Sequence, residues 1–299
     1  DTLFEENSQV IKDIKVINSS AGYDLSKVRK KDGSFDLTPL FVGSQGTLGI
    51  VTEITLKTEI HNPNTTLIAA KKKDLESLSG IIGEIKKLPH KPSAIEMVNE
   101  HLLNFVNERN PNQLKGLLDK PFPKFLLLIE LDDIAERVRK RMAKKISKIL
   151  NKYGIEYKIE NDLEKKDDLW RIRHSASAII SHSEKDAKAL PIIEDVVVPI
   201  EKISEFMRSA YEILSKQNIL PAAWGNVGIG SLHIRPVLDL SQVGDRQKAF
   251  KIMDEYYALA VSMGGSTSSG HNDGRLRGPY LKSVYGDEVY GLFEKLKQI

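Results

Sequence analysis

Residues 41–57 read FVGSQGTLGIVTEITLK, and this stretch decides how the rest of the sequence is interpreted. Its glycines, Gly43, Gly46 and Gly49, stand three residues apart and precede an alternating run of β-branched residues at 50–56. Glycine allows positive φ and close backbone approach, and the alternation predicts a strand with one buried face. A turn of this kind lets a backbone lie against a planar or phosphorylated ligand. An ordinary glycine turn between two strands is an equally good interpretation of the spacing.

The composition is that of a globular protein. The 299 residues suffice for two domains, and 40% hydrophobic with 28% charged residues is an ordinary balance. The net charge of +3, from 44 basic and 41 acidic residues, argues against a nucleic-acid-binding protein. No apolar run approaches the roughly 18 residues of a membrane span. Because the sequence has no cysteine, disulfides, iron–sulfur ligation and thiol catalysis by this chain are excluded.

Beyond residue 60 the apolar periodicity predicts alternating strands and amphipathic helices. The expected strands cover 65–70, 124–131, 155–159, 195–198, 222–226 and 232–235. The expected helices cover 74–88, 95–109, 134–153, 203–214 and 246–263. Near the N-terminus, residues 11–18 also alternate and predict a strand. Strand–helix–strand units of this length predict a two-layer α+β domain with an antiparallel, ferredoxin-like sheet.

Two stretches carry a resemblance to a known family. SAGYDL at 20–25 and GSQGTLGIVTEITLK at 43–57 resemble the flavin domain of the FAD-dependent D-2-hydroxy acid dehydrogenases, which include the glycolate oxidase flavoprotein subunit, D-lactate dehydrogenase and D-2-hydroxyglutarate dehydrogenase. The resemblance implies the C-terminal part of a para-cresol-methylhydroxylase-type FAD-binding domain at 1–60. It implies an α+β cap, the FAD-linked oxidase C-terminal domain, at 61–299. The flavin contacts implied by the family are Ala21, Gly22, Gly43, Ser44, Gly46, Thr47, Gly49, Ile50 and Val51.

The family's Pro-Gly-Gly-rich loop, which binds the FAD pyrophosphate, has no counterpart in this sequence. Backbone amides of such a loop supply much of the phosphate binding. We therefore expect this chain alone to hold FAD weakly or not at all. The phosphate-binding half of the flavin domain is expected on another polypeptide or on a longer form of this one.

The first cap motif with possible chemistry is DDLWRIRHSASAII at 167–180, in which Trp170 stands beside Arg171 and Arg173. A guanidinium group binds a carboxylate through two parallel hydrogen bonds. From spacing alone, a packed tryptophan with two solvated arginines is the more frequent arrangement. The family's Leu-Trp-x-x-Arg motif ends on the arginine that binds the substrate carboxylate, and this implies that role for Arg173.

The second motif, WGNVGIGSLHIRP at 224–236, matches the family's metal-binding motif only in part. The family form is Gly-His-x-Gly-Asp-Gly-Asn-Leu-His, in which both histidines bind a divalent metal. Here Asn226 replaces the first histidine, and His233 is retained. An amide oxygen is a poorer transition-metal ligand than imidazole, so the site is expected to be degenerate.

The third motif, GGSTSSGHNDGRLRGPY at 264–280, contains the family's catalytic histidine. Where the family reads Ser-Gly-Glu-His-Gly, with Glu as the last metal ligand and His as the base, Gly270 replaces the Glu and His271 is retained. We therefore predict no tightly bound divalent metal. The resemblance implies hydride transfer from a D-2-hydroxy acid to flavin N5, with His271 as base and Arg173 as carboxylate clamp. The candidates for binding a second carboxylate are Arg235, Arg275 and Arg277.

The implied function is an FAD-dependent oxidoreductase that oxidises a hydroxy acid of the lactate, 2-hydroxyglutarate or glycolate class to the 2-oxo acid. The altered metal ligands leave a second hypothesis, a non-catalytic or altered-substrate relative acting as a flavin-binding or assembly subunit. A third is one half of a split two-subunit flavoenzyme. The implied partners are the hydroxy acid and an electron-acceptor protein or quinone, with an N-terminal half, an iron–sulfur subunit or a second copy as further candidates. The implied location is cytoplasmic, or peripheral at the membrane.

Overall fold

The computed structural model describes residues 2–17, 19–174, 176 and 188–299. The chain divides into two compact units, of which unit 1 holds Asp1–Glu59, Asp195–Val198 and Tyr257–Ile299. Unit 2 holds Ile60–Glu194 and Pro199–Tyr256. The first boundary lies next to the predicted division at residue 60, and the C-terminal segment joins unit 1. The assignment of 1–60 and 61–299 as the domains of the whole protein stays a prediction.

The N-terminal part of unit 1 consists of short helices joined by irregular chain. These are α1 (Thr2–Glu6), α2 (Ser8–Lys12) and α3 (Thr38–Phe41). The strand predicted over 11–18 is wrong within its described residues, because its first residues are the end of α2 and 13–17 lie in no strand. Among the strands that the structure describes, none pairs with this stretch.

The strand predicted over 50–56 is also wrong. Residues 50–62 lie in no helix or strand, and Ile50, Ile54 and Leu56 are 92%, 70% and 71% exposed. A strand requires a hydrogen-bonded neighbour, and no strand among the described residues pairs with this segment. The alternating sequence is therefore irregular chain whose apolar side chains face solvent.

Unit 2 is built on a βαββαβ arrangement with one additional helix. Its elements are β1 (Thr66–Lys72), α4 (Leu78–Lys86), β2 (Ala94–Asn99), α5 (Glu100–Arg109), β3 (Phe125–Leu131), α6 (Glu136–Lys152) and β4 (Glu156–Glu160). These strands take the order β4-β1-β3-β2 and pair antiparallel. This is the ferredoxin-like topology, so the fold expected from the alternation of elements is confirmed.

Further strands and helices extend this arrangement. They are α7 (Leu163–His174), β5 (Lys188–Ala189), β6 (Ile193–Val197), α8 (Ile203–Ser215), β7 (Ala222–Asn226), β8 (Ser231–Arg235), β9 (Val237–Leu238) and α9 (Val243–Ser262). The sheet continues from β2 through β7 and β8 to β6, whose first two residues belong to unit 2. Strands β5 and β9 form a separate pair. Among the described helices, none is long and apolar enough to cross a bilayer.

The core of unit 2 lies on both faces of β3, whose sequence FLLLIEL is buried at every position except Glu130. Leu126 and Leu128 face a cluster that includes side chains of α5 and α7 and Trp224. Helix α6 packs against β1 and β3 beside α4. A continuously apolar run fits a strand buried on both faces, and the strand predicted here is confirmed.

The helix predicted over 95–109 is wrong in its first residues, because Ala94–Asn99 is strand β2 between β3 and β7. Asn99 ends this strand and caps α5, its Oδ1 accepting the amide hydrogen of Leu102 at 3.0 Å. Pairing along both edges of β2 outweighs the helical pattern of the local sequence. The consequence for the site is that Glu96 lies on a strand.

The C-terminal part of unit 1 contains α10 (Gly274–Arg277) and α11 (Leu281–Gln298). Helix α11 is interrupted at Gly286, whose φ of 78° favours glycine. The apolar cluster of unit 1 joins this helix to the N-terminal segment. Its buried members are Phe4, Ile11, Leu25, Val28, Leu40, Val289, Leu292 and Phe293.

Candidate functional site

The strongest polar feature of unit 1 is a loop organised around the buried carboxylate of Asp195. This carboxylate accepts hydrogen bonds from the hydroxyl of Ser268 at 2.7 Å and from the backbone amides of Ser269, Gly270 and His271 at 3.1, 3.1 and 2.7 Å. Asp195 has a φ of 66°, a conformation uncommon for a residue with a side chain. Consecutive amides that converge on one anion fix the backbone of the predicted catalytic motif.

The imidazole of His271 is 58% exposed, while the carboxylate that holds its backbone is 2% exposed. Its Nδ1 lies 3.9 Å from Asp195 Oδ1. This distance is too long for a hydrogen bond, and the direct contact of Asp195 with this residue is through the His271 backbone amide. The sequence identified His271, but it gave no role to Asp195. The available signal was a pair of acidic residues, Glu194-Asp195, inside an otherwise apolar strand.

The SAGYDL stretch and the HNDG stretch, which the sequence treats separately, are joined within unit 1. The amide of Ser20 donates to the carbonyl of Ser268 at 3.1 Å, and the side-chain amide of Asn272 donates to the Ser20 carbonyl at 2.8 Å. The amide of Gly22 donates to Asp273 Oδ2 at 2.7 Å. Residues predicted to contact the flavin therefore lie beside the loop that carries His271.

Asp273 is a further polar residue of this loop that the sequence did not single out. Its Oδ1 is buried and has no hydrogen-bond partner among the described residues. Burial raises the pKa of the Asp273 carboxyl above its usual value, although the Gly22 amide and Arg277 act in the opposite direction. Asp273 thus places a buried carboxyl beside the backbone of Gly22, one of the predicted flavin contacts.

Two of the glycines among the predicted flavin contacts have a packing explanation within the chain. Gly22 has a φ of 65°, and a Cβ there would lie 2.5 Å from the Phe293 ring. Gly43 has a φ of 78°, and a Cβ there would lie 2.1 Å from the side-chain nitrogen of Asn272. Positive φ and close approach both require glycine. These glycines therefore serve the local fold, whether or not a flavin lies against them.

The predicted flavin residues divide into two groups. Ala21, Gly22 and Gly43 line a cleft of about 610 Å³, and Ser44 and Thr47 line an adjoining cavity of about 530 Å³ that also includes Gly22 and Gly43. Both volumes lie in the range of ordinary ligand pockets. The residues that line neither cavity are Gly46, Gly49, Ile50 and Val51.

Small residues, Ser19, Ser20, Ala21 and Gly22, form one part of the cleft wall, and the lining also includes charged residues, Asp24, Lys27 and Asp36. Burial raises the pKa of Tyr285 to about 12, so its hydroxyl keeps its proton and donates to the Ala21 carbonyl at 2.6 Å. The backbone of Ala21 is therefore held at the cleft wall. The Ala21–Tyr285 contact and the small residues beside it are compatible with one part of FAD. The need for further phosphate-binding elements stays a prediction.

The arginines of unit 1 differ in environment. Arg277 is buried, and its guanidinium donates to the carbonyl of Asn272 through Nε at 2.9 Å and through Nη2. It thereby stabilises the loop, a role that disfavours the predicted contact with a second carboxylate. Arg275 is exposed on the short helix α10. Both roles in substrate binding stay predictions.

In unit 2, Arg173 projects from α7 and its Nε donates to Glu96 Oε2 at 2.7 Å. The two side chains are 19% and 13% exposed, so the pair is largely shielded from water. Glu96 is the register partner of Asn226 on the neighbouring strand. The sequence reasoning missed Glu96 because it placed this residue on a helix. The available signal was a single carboxylate within the apolar run AIEMV.

The same face of the sheet carries Arg235, whose Nε and Nη2 donate to Glu194 Oε2 at 3.0 and 2.9 Å. Its guanidinium carbon lies 5.4 Å from the centroid of the Trp224 ring. His233, the register partner of Trp224 on β8, stacks on Trp224 with the ring centroids 5.8 Å apart. The predicted clamp for a second carboxylate is therefore already engaged by an acidic and an aromatic side chain.

The predicted metal residues of unit 2 are Asn226 and His233, both on this face of the sheet. They offer one amide oxygen and one imidazole, a weaker donor set than two imidazoles. In unit 1, the position of the family's glutamate is Gly270, whose amide donates to Asp195. The prediction that no divalent metal binds tightly stays a prediction.

Comparison with known proteins gives one family for most of the chain. A family model described as FAD linked oxidases, C-terminal domain, matches residues 61–299. Among curated relatives, the chain is 26% identical over 273 residues to glycolate oxidase subunit GlcD of Bacillus subtilis, covering 91% of this chain and 56% of that protein. It is 26% identical over 304 residues to D-2-hydroxyglutarate dehydrogenase of Haemophilus influenzae, covering 96% and 28%. It is 22% identical over 271 residues to mitochondrial D-lactate dehydrogenase [cytochrome] of Kluyveromyces lactis, covering 90% and 46%.

The chain therefore spans between 28% and 56% of the length of these relatives. Among solved structures, p-cresol methylhydroxylase with substrate bound has a TM-score of 0.58 at 13% identity, covering 79% of this chain and 50% of that one. The 4-ethylphenol oxidase of Gulosibacter chungangensis has a TM-score of 0.51 at 13% identity, covering 71% and 46%. At this identity the likeness shows a shared fold, which agrees with the predicted fold class.

Proposed function

This chain belongs to the family of FAD-linked oxidase C-terminal domains, and on this basis we propose that it forms the substrate-binding part of an FAD-dependent oxidoreductase. The reaction is the oxidation of a D-2-hydroxy acid to the corresponding 2-oxo acid. The names of the curated relatives, glycolate oxidase, D-lactate dehydrogenase and D-2-hydroxyglutarate dehydrogenase, share this chemistry. The electron acceptor is a protein or a quinone, and the location is cytoplasmic.

The observation that carries the proposal is the Asp195-centred loop. Three consecutive backbone amides bind this buried carboxylate, while the imidazole of His271 extends into solvent. A rigid backbone under an accessible imidazole is what a general base requires, because the base must reach the substrate hydroxyl in one geometry. The proton of the substrate hydroxyl moves to Nε2 of His271, and Asp195 stabilises the imidazolium that forms.

Arg173 binds the substrate carboxylate in this proposal. Its Nε is fixed by Glu96, and its two Nη groups have no partner among the residues that the structure describes. An end-on guanidinium with two parallel N–H groups binds a carboxylate through two hydrogen bonds. When bound, FAD supplies the redox chemistry by accepting at N5 the hydride that leaves the substrate α-carbon. Ala21, Gly22, Gly43, Ser44 and Thr47 would hold the flavin in unit 1.

The test uses the full-length protein, or the complex that contains this chain, purified with FAD. Its visible absorption spectrum is recorded anaerobically before and after addition of D-lactate, glycolate or D-2-hydroxyglutarate. We expect one or more of these acids to bleach the flavin absorption, and His271→Ala to abolish the bleaching. His90→Ala, at an exposed histidine outside the loop, serves as the matched control and retains it. A flavin that stays oxidised with all three acids contradicts the proposal.

The exposed segment at 50–60 favours a second candidate, a chain that completes its flavin domain with further polypeptide. Ile50, Ile54 and Ile60 are 92%, 70% and 83% exposed, and the segment alternates like a strand. An extended apolar segment of this kind gains hydrogen bonds and burial when it pairs with a neighbouring strand. If this candidate is correct, FAD binds tightly only when the additional polypeptide is present, and a flavin titration of this chain alone gives weak binding.

A further inference from the structure

Two arginines on the face of the unit 2 sheet that also carries Trp224 are held in different ways, and this difference bears on the size and charge of the substrate. Strand alternation places Glu96, Asn226, Trp224, His233 and Arg235 on one face, because register partners share a face and side chains alternate along each strand. Arg173 reaches the same face from α7, through its contact with Glu96. The inference below rests on the proposed hydroxy acid oxidation.

Arg173 keeps a binding edge for a carboxylate. The Nε of Arg173 donates a hydrogen bond to one oxygen of Glu96 at 2.7 Å, and this contact fixes the plane of the guanidinium. The Nη1 and Nη2 groups of Arg173 form the edge of the guanidinium that a carboxylate can bind, and they have no partner among the described residues. A carboxylate that approaches this edge makes two parallel hydrogen bonds without displacing Glu96.

Arg235 is held more completely. Both its Nε and its Nη2 donate to one oxygen of Glu194. The guanidinium carbon of Arg235 lies 5.4 Å from the centroid of the Trp224 ring. The side chains of Arg235 and Glu194 are only 15% and 11% exposed. Separating a largely buried ion pair is unfavourable, because each charge loses its partner before it gains a new one. A second substrate carboxylate would also approach the negative charge of Glu194.

We infer that Glu194 is a specificity-determining residue that withholds Arg235 from the substrate, so that this site accepts a 2-hydroxy monocarboxylate and rejects a 2-hydroxy dicarboxylate. Glu194 acts through Arg235 and does not touch the reacting atoms. The substrate class is therefore that of lactate and glycolate. Within this inference Arg173 is the carboxylate clamp and Arg235 is not, in contrast to the role considered for it from the sequence.

The experiment measures kcat/KM for D-lactate and for D-2-hydroxyglutarate with the flavin-loaded full-length protein or complex. For the unaltered protein we expect kcat/KM for D-lactate to exceed that for D-2-hydroxyglutarate by at least about tenfold. The reason is that the second carboxylate of D-2-hydroxyglutarate would be left unpaired in a site that binds a single carboxylate. Glu194→Gln frees Arg235 from its charged partner. We expect this variant to raise the ratio of D-2-hydroxyglutarate to D-lactate kcat/KM by about tenfold, mainly through a lower KM for the dicarboxylate.

A second variant separates specificity from structural damage. Glu194→Gln combined with Arg235→Gln removes both charges and leaves no guanidinium for a second carboxylate, so we expect it to retain the preference for D-lactate. A merely structural role for Glu194 would lower kcat/KM for both acids alike in the single variant and leave the ratio unchanged. Glu201→Gln, at an exposed carboxylate of the same unit, is the matched control for the loss of one charge.

The outcomes are distinct. A preference of the unaltered protein for D-2-hydroxyglutarate, or an unchanged ratio in Glu194→Gln, overturns this inference and leaves hydroxy acid oxidation standing. Absence of flavin reduction by every hydroxy acid overturns both. A shifted ratio in the single variant, reversed in the double variant, supports the assignment of Glu194.

Discussion

Two stretches that both predict strands have opposite outcomes in this protein. Strand β3, Phe125–Leu131, is almost continuously apolar, and residues 50–56 alternate β-branched residues with polar ones. The first lies between β1 and β2 and is almost wholly buried, whereas the second lies in no strand and is exposed. The comparison shows that sequence pattern establishes the capacity to form a strand, and that a neighbouring strand decides whether one forms.

The two units also differ in what orders them. Unit 2 has a large sheet with apolar layers, as in the cluster around Leu126 and Trp224. Unit 1 has a smaller apolar cluster together with a polar network centred on Asp195. Burial of apolar surface is the larger stabilising contribution, and hydrogen bonds to a buried carboxylate determine local geometry. Substitutions in the two units should therefore have effects of different size and kind.

The largest effect is expected in the buried strand. Leu127→Ala removes a side chain that is fully buried in β3 and leaves a cavity in the sheet layer. We expect the free energy of unfolding of unit 2 to fall by about 2–5 kcal/mol. Urea denaturation followed by tryptophan fluorescence measures this, since Trp170 and Trp224 both lie in unit 2. A loss below about 1 kcal/mol would remove the contrast between the two stretches.

A smaller effect is expected from the polar network of unit 1. Asp195→Asn replaces a carboxylate that accepts four hydrogen bonds by an amide with one acceptor oxygen. Because amides of the loop then lose their charged acceptor, we expect a loss of stability of about 1–3 kcal/mol. Hydrogen exchange of the amides of residues 269–271 should accelerate in this variant. Ser262→Ala, at an exposed helix position, is the control, and unchanged exchange in Asp195→Asn would show that the loop is ordered by something else.

A pH-dependent effect is expected at Asp273. Burial raises the pKa of the Asp273 carboxyl in the folded chain above its ordinary value of 3.8, so the folded state binds this proton more tightly than the unfolded state does. The contribution of this proton to stability is therefore complete below the pKa of the unfolded state and is lost as pH rises through the pKa of the folded state. Asp273→Asn keeps the neutral shape, and the stability difference between variant and unaltered protein should grow in favour of the variant as pH rises from below 3.8. Paired urea titrations across this window measure it, and a constant difference would contradict it.

The smallest effect is expected at the exposed stretch. Ile54→Ser changes a side chain that is 70% exposed and packs in no described cluster. We expect the stability of this chain to change by less than about 0.5 kcal/mol. The same substitution should weaken FAD binding in the full-length protein or complex if residues 50–60 pair with further polypeptide. Equal flavin affinity of the Ile54→Ser variant and the unaltered protein would show that residues 50–60 stay exposed in the full-length protein or complex too.

Much of the fold could be predicted from the sequence. The alternation of strands and helices in unit 2 and its antiparallel, ferredoxin-like sheet are confirmed, because each element carries its own periodicity. The errors occur where local pattern and pairing disagree. Residues 95–99 have a helical pattern and form a strand between two neighbours, whereas 50–56 have a strand pattern and no neighbour. Pairing is a property of distant segments, and local spacing does not record it.

The candidate site was predictable in its motifs and unpredictable in its partners. His271 and Arg173 follow from motif matches, and their roles stay predictions until activity is measured. Glu96, Glu194 and Asp195 lie on strands remote in sequence from the side chains or amides that they bind. Carboxylates within apolar strands are the only sequence signal for such partners, since a buried charge requires a compensating group.

The sequence by itself therefore determined the family of the protein and the alternation of unit 2, and it supplied the candidate residues for the chemistry, which stay predictions. These depend on local periodicity and on residue types, which a linear chain contains in full. Only the tertiary structure decided which apolar stretch is buried, which carboxylate holds the His271 loop, and which arginine keeps a binding edge for a carboxylate. Each of these depends on contacts between segments far apart in sequence, and contacts of that kind exist only once the chain has folded.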